Sequence, residues 1–92
     1  MLEIQFESRF QRDYKKCLKR GCKPEEREKV LRILASGEVL PPKYRDHALT
    51  SSREYKNVRE CHINPDWLLI YKIEKQLLVI RAIRTGTHAD LF

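Results

Sequence analysis

Ninety-two residues can close around one hydrophobic core and leave no material for a second, so residues 1–92 are read as a single domain. With 41% apolar and 35% charged residues the chain is too apolar for a disordered tail, and no apolar run approaches the length of a bilayer span. Nineteen Lys and Arg against thirteen Asp and Glu leave a net charge of +6, the balance of a protein that meets phosphate or of a small domain with a solubilising excess.

Leu2, Ile4 and Phe6 alternate with Glu3 and Gln5, the period of a strand with one buried face. From Ser8 the period lengthens. Phe10, Tyr14, Cys17 and Leu18 form an apolar stripe while Arg9, Arg12, Lys15, Lys16 and Lys19 fall mostly opposite, which predicts a helix with Ser8 as N-cap and Gly21 as stop. Lys23-Pro24-Glu25-Glu26 opens a second helix, with proline where its missing N–H does no harm and two carboxylates at the positive end of the dipole. Val30, Leu31, Ile33 and Leu34 are its buried stripe and Gly37 its end. A short connection predicts that the two pack as a hairpin.

The prolines Pro41 and Pro42 hold the next stretch extended as a loop that delivers His47. Residues 48–50 have the composition of a strand start, 51–54 that of a turn, and 55–63 that of a further strand interrupted at Asn57. In an extended strand Val58, Glu60 and His62 share one face while Arg59, Cys61 and Ile63 share the other. Asn64-Pro65-Asp66 is a tight turn that brings His62 and Asp66 to the same end of a hairpin. An apolar strand over 67–71, a turn at 74–76 and a strand over 77–83 complete an α+β domain, with helices on one face of a mostly antiparallel sheet. The N-terminus lacks the basic start and apolar centre of a secretion signal, and three cysteines fit neither a paired disulfide framework nor a CxxC site. A reducing cytoplasm is the expected setting, with Cys17 and Cys61 as packing residues.

His47, His62 and His88 fall at element ends, and Asp66 lies just after one of them. Histidine titrates nearest neutral pH, so it can take a proton from one oxygen and return one to another. With RNA as substrate the ribose 2′-hydroxyl is the nucleophile. The protein then has only to deprotonate it, protonate the departing 5′-oxygen and stabilise the phosphorane, the last a task for Arg84 or Arg59. No metal is required, although His47, His62, Asp66 and His88 are also residue types that hold one. Phe92 caps the sheet or stacks on a base, and Trp67 faces the same choice.

The blocks His47-Ala-Leu, Arg59-Glu-Cys-His-Ile-Asn-Pro-Asp-Trp-Leu-Leu-Ile-Tyr71 and Arg84-Thr-Gly-Thr-His-Ala-Asp-Leu-Phe92 resemble the signatures of the YafQ-type toxins of the RelE/ParE superfamily. The resemblance implies the RelE-like microbial RNase fold, β-α-α-β-β-β, with a helical hairpin on a four-stranded sheet. It implies a toxin of a type II toxin–antitoxin system, a ribosome-dependent endoribonuclease that cuts mRNA in the A site against 16S rRNA. A DinJ- or RelB-type antitoxin is the implied partner, and neither cofactor nor membrane is involved. Catalytic roles fall on His47, His62, Asp66 and His88, and substrate contacts on Phe92 and Arg84; Lys56 and Trp67 are further candidate substrate-binding residues. Between His47 and His62 the chain lacks the family's two glycine positions. The superfamily's fold also serves toxins that cut no RNA, such as gyrase-directed ones, and a module that only binds an antitoxin is a third possibility.

Overall fold

A computed structural model describes residues 1–49 and 58–92, which form two helices against a five-stranded sheet with a short third helix at the end. In chain order these are β1 (Glu3–Phe6), α1 (Ser8–Lys19), α2 (Pro24–Ala35), β2 (His47–Leu49), β3 (Val58–Asn64), β4 (Trp67–Glu74), β5 (Val79–Gly86) and α3 (His88–Leu91). Single 3-10 turns occupy Pro42–Tyr44 and Lys75–Leu77. The sheet order is β1-β5-β4-β3-β2. All neighbours are antiparallel except β1, which lies parallel to β5 with Glu3 opposite Val79. The α+β class and mostly antiparallel sheet agree with the sequence, but the sheet has five strands, not four. The extra one is β2, three residues at the edge that gain their ladder from β3 rather than from their own propensity. The turn expected at 51–54, Asn57 and Lys56 lie outside the described residues.

Both faces of the sheet are covered. Beneath the helices, Phe10, Cys17, Val30, Leu31 and Leu34 pack on Cys61, Ile63, Trp67, Leu69, Tyr71, Ile80 and Ala82. On the opposite face a smaller cluster joins Val58, Leu68, Ile70 and Leu91. Strand β4 feeds both clusters, which is why its first five residues are all buried and read in sequence as one apolar run. Helix α2 crosses the sheet: near its start Glu26 accepts a 3.3 Å bond from Asn64 of β3, and at its end the Ala35 carbonyl accepts from the Leu2 N–H at 2.8 Å, beside β1.

Aromatic rings run from β1 through α1 to the sheet, with Phe6–Phe10, Phe10–Tyr14 and Tyr14–Trp67 centroids 5.3, 6.1 and 6.3 Å apart. Arg27 of α2 closes this row, its guanidinium 4.3 Å from the Tyr14 ring and 5.1 Å from that of Phe6. The two helices are thereby tied by a cation over aromatic faces, a contact that the apolar stripes do not reveal. Helix α1 begins at Ser8 itself, with Glu7 as its N-cap and no side-chain cap bond, so the Ser8 cap of the sequence reading is corrected by one residue. The proline and paired carboxylates at the start of α2 are where expected.

Candidate active site

The approach to His47 is set by the loop before it. The 3-10 turn buries Tyr44, and Arg45 then adopts a left-handed conformation at φ 48°. Asp46 turns to the helix side of the sheet, where Arg59 and Tyr71 lie opposite one another in the β3–β4 ladder. Asp46 accepts a 2.6 Å bond from the Tyr71 hydroxyl and further bonds from Nε and Nη2 of Arg59, each at 3.2 Å. Burial, and then the neighbouring Asp46, push the Tyr71 hydroxyl up, while the bond to Asp46 holds the Arg59 guanidinium charged. Arg59 is therefore a strut for the residue before His47, on the face away from the histidines.

On the other face His47 lies opposite Glu60 in the β2–β3 ladder, and His62 is two residues further along the same side of β3. The Glu60 carboxylate, whose side chain is only 8% exposed, stands 3.6 Å from Nε2 of His47 and 3.9 Å from Nε2 of His62. Both are ion-pair rather than hydrogen-bond distances. Nδ1 of His47 lies 2.8 Å from the Arg45 carbonyl. A carbonyl can only accept, so that nitrogen carries the hydrogen. His47 thus donates from Nδ1 to the Arg45 carbonyl and turns Nε2 toward the Glu60 carboxylate. The apolar floor beneath is Val58, Leu68 and Ile70, with Leu68 directly opposite His62.

The third histidine is the first residue of α3, which Leu91 sets against this face. A helix of four residues has no stability of its own, and this one is held by three devices. Thr87 and Asp90 form a capping box, the Asp90 N–H bonding Thr87 Oγ1 at 3.1 Å and the Thr87 N–H bonding Asp90 Oδ2 at 3.0 Å. Leu91 is buried in the floor cluster with Leu68 and Ile70. Arg20, the cap residue of α1, pairs with Asp90 at 2.5 Å, and this bond holds the Asp90 carboxyl down at about 2. Gly86 permits the close turn: its φ is +152°, and an added Cβ would stand 3.0 Å from Asp90 Oδ2. From α3 the His88 ring lies 5.0 Å from that of Phe92, which remains half exposed.

The structure therefore gathers His47 and His62 around one carboxylate and sets the helix bearing His88 and Phe92 against the floor of the same face. Asp66 is exposed in the β3–β4 turn, its N–H bonded to Asn64 Oδ1 at 2.9 Å. Two expectations need correction. Trp67 offers no face to a nucleotide, because it is 1% exposed beneath the helices and donates a 2.6 Å bond to Thr85 Oγ1. Arg84 is engaged by Asp13 of α1 through Nε at 2.6 Å and Nη2 at 3.2 Å, a junction between helix and sheet rather than an outstretched phosphate ligand. Glu60 was missed. The signal was present in the shared face of Val58, Glu60 and His62, because a carboxylate flanked by buried strand positions is rare unless it has partners.

Among the described residues no group of three or more His, Cys, Asp and Glu side chains is arranged to hold a metal ion, and no helix is long and apolar enough to cross a membrane.

Comparison with known proteins gives the family. Residues 2–92 match the model of the family described as the bacterial toxin of type II toxin–antitoxin system, YafQ. The mRNA interferase toxin YafQ of Escherichia coli strain B/BL21-DE3 is 40% identical over 91 residues, covering 98% of this chain and 95% of that protein. Among solved structures, a metal-bound toxin from Helicobacter pylori superposes with a TM-score of 0.91 at 40% identity over the whole of both chains. The toxin in an E. coli DinJ–YafQ complex superposes with a TM-score of 0.87 at 36% identity over 100% of this chain and 99% of that one. The metal is that of the Helicobacter toxin.

Proposed function

Because the chain belongs to the YafQ family of bacterial type II toxin–antitoxin toxins, we propose that it is an endoribonuclease that cuts messenger RNA on the ribosome, by acid–base catalysis on the His47–Glu60–His62 face. The observation that carries the reading is the position of two imidazoles about one buried carboxylate, on the face that Leu91 of α3 covers. RNA brings its own nucleophile, so proton transfer and charge stabilisation are all that the protein has to supply.

In this mechanism His47, held between the Arg45 carbonyl and Glu60, is the acid that protonates the departing 5′-oxygen. The base that takes the 2′-hydroxyl proton is His62 or His88. Asp66, exposed in the β3–β4 turn, is assigned to the catalytic set with the histidines, and Phe92, half exposed beside His88, stacks on a base of the message. Glu60 faces and orients His47.

The partner that silences the toxin is an antitoxin of the DinJ type, for which the E. coli complex is the precedent. An acidic segment folding over the basic surface fits the net charge of +6. Cleavage mapping on programmed ribosomes, with wild type beside His47→Ala, His62→Ala, Asp66→Ala and His88→Ala, tests the reading. New 5′ ends in the A-site codon should appear with wild type and be lost or strongly reduced in the histidine variants. Growth arrest with intact message would point instead to a toxin that cuts no RNA.

A further inference from the structure

The end of α1 holds two thiols that this chemistry does not use. Cys17 is 3% exposed and Cys22 partly exposed, and both are free. The Cys22 N–H bonds the Cys17 carbonyl at 3.0 Å and the Gly21 N–H bonds the Leu18 carbonyl at 3.1 Å, the paired bonds of a Schellman cap with Gly21 at φ +94°. This closure sets Cys22 against Cys17 at the two positions whose side chains meet in such a cap, and Cys22 packs on the core cluster that contains Cys17. Between them in sequence lies Arg20, whose guanidinium holds Asp90 of α3.

We propose that Cys17 and Cys22 are a reversible oxidation site, at which an oxidant of the peroxide class forms an intramolecular disulfide that clamps the end of α1 and, through Arg20 and Asp90, steadies the helix carrying His88. A disulfide requires sulfurs about 2.05 Å apart and Cα atoms roughly 4.4–6.8 Å apart. With the Cys22 N–H bonded to the Cys17 carbonyl at 3.0 Å, the closed cap holds the two backbones together, and side-chain rotation is the movement that the bond requires.

The chemistry balances in two steps. The Cys22 thiolate sulfur attacks one peroxide oxygen, the O–O bond breaks, and the hydroxide released takes a proton to become water, leaving a sulfenic acid on Cys22. The Cys17 sulfur then attacks that sulfur, the S–O bond breaks, and the departing hydroxide takes the Cys17 proton as a second water. Two electrons pass from the sulfurs to the peroxide. Burial, and then Cys22, push the Cys17 thiol up to about 12, so Cys17 is the resolving partner and the more accessible Cys22 meets the oxidant. Cys61, fully buried in β3, is an internal control.

The test treats the whole folded chain with hydrogen peroxide and follows intact mass, a peptide map and amide exchange at residues 88–92, before and after dithiothreitol. Expected are the loss of two hydrogen masses, a linkage between the peptides holding Cys17 and Cys22, and exchange in α3 slowed by at least about threefold and restored on reduction. Cys22→Ser should abolish all three. Arg20→Ala should form the disulfide without the change in α3. Sulfinic acid on Cys22 alone, linkage to Cys61 or between chains, or unchanged exchange in α3 despite the disulfide would each overturn the proposal. None of these readouts depends on RNA cleavage, so they stand or fall apart from the nuclease assignment.

Discussion

The hydroxyl of Tyr71 donates a 2.6 Å hydrogen bond to the carboxylate of Asp46, tying the residue before His47 to the buried middle of β4. Tyr71→Phe removes that bond and leaves Asp46 to Arg59 alone. A bond to a charged acceptor contributes about 1.5–3 kcal/mol, and urea unfolding should show a loss of about that size. Cleavage should fall as well, because the anchor that orients His47 is weakened. Unchanged stability and activity would mean that Arg59 suffices.

Glu60 is expected to matter through its charge. Glu60→Gln keeps the shape but removes the anion facing His47 and His62, and cleavage on ribosomes should drop by about tenfold or more, within the range that a general acid supplies. Glu60→Asp should retain more activity than Glu60→Gln. Circular dichroism of the variants checks that the fold survives, and full activity in Glu60→Gln would remove Glu60 from the mechanism.

Acid should loosen α3. The Asp90 carboxyl is lowered from 3.8 to about 2, chiefly by its bond to Arg20, so its stabilising contribution is complete above the unfolded value and is lost as pH falls through the folded one. Amide exchange in α3 should therefore accelerate between about pH 4 and pH 2. In Asp90→Asn the same residues should exchange faster at neutral pH and respond less in that window.

Gly86→Ala should be among the more damaging small substitutions. The new methyl would stand 3.0 Å from Asp90 Oδ2 and 3.1 Å from Asp90 Cβ, at a backbone angle that side chains avoid. A cost of about 1–3 kcal/mol is expected, measured by thermal unfolding, together with reduced cleavage as α3 shifts. Gly21→Ala, with open space around its Cβ position, should cost less and leave cleavage nearer wild type.

Where apolar period and turn chemistry agreed, the sequence was informative. Alternation at Leu2, Ile4 and Phe6, the proline and carboxylates before Val30, and Asn64-Pro65-Asp66 each placed an element correctly. Features made by partners far along the chain were not readable. β2 is a strand because β3 lies beside it, Arg27 is half of an aromatic clamp, and α3 exists only because Arg20 and the floor cluster receive it. The same limit applies at the site. Histidines could be named by type, but the carboxylate between them and the engagement of Arg59 and Arg84 by Asp46 and Asp13 emerge only once strands and helices have met.

Strand β1 is made first and finds its place only beside β5, with Glu3 opposite Val79. Ordering so long an intervening segment is entropically slow. During translation the sheet consequently stays open until β5 has emerged, and α3 with His88, made later still, docks on it last. The nascent toxin should thus be harmless to the machine that is producing it, a delay in maturation that leaves a neighbouring antitoxin time to arrive.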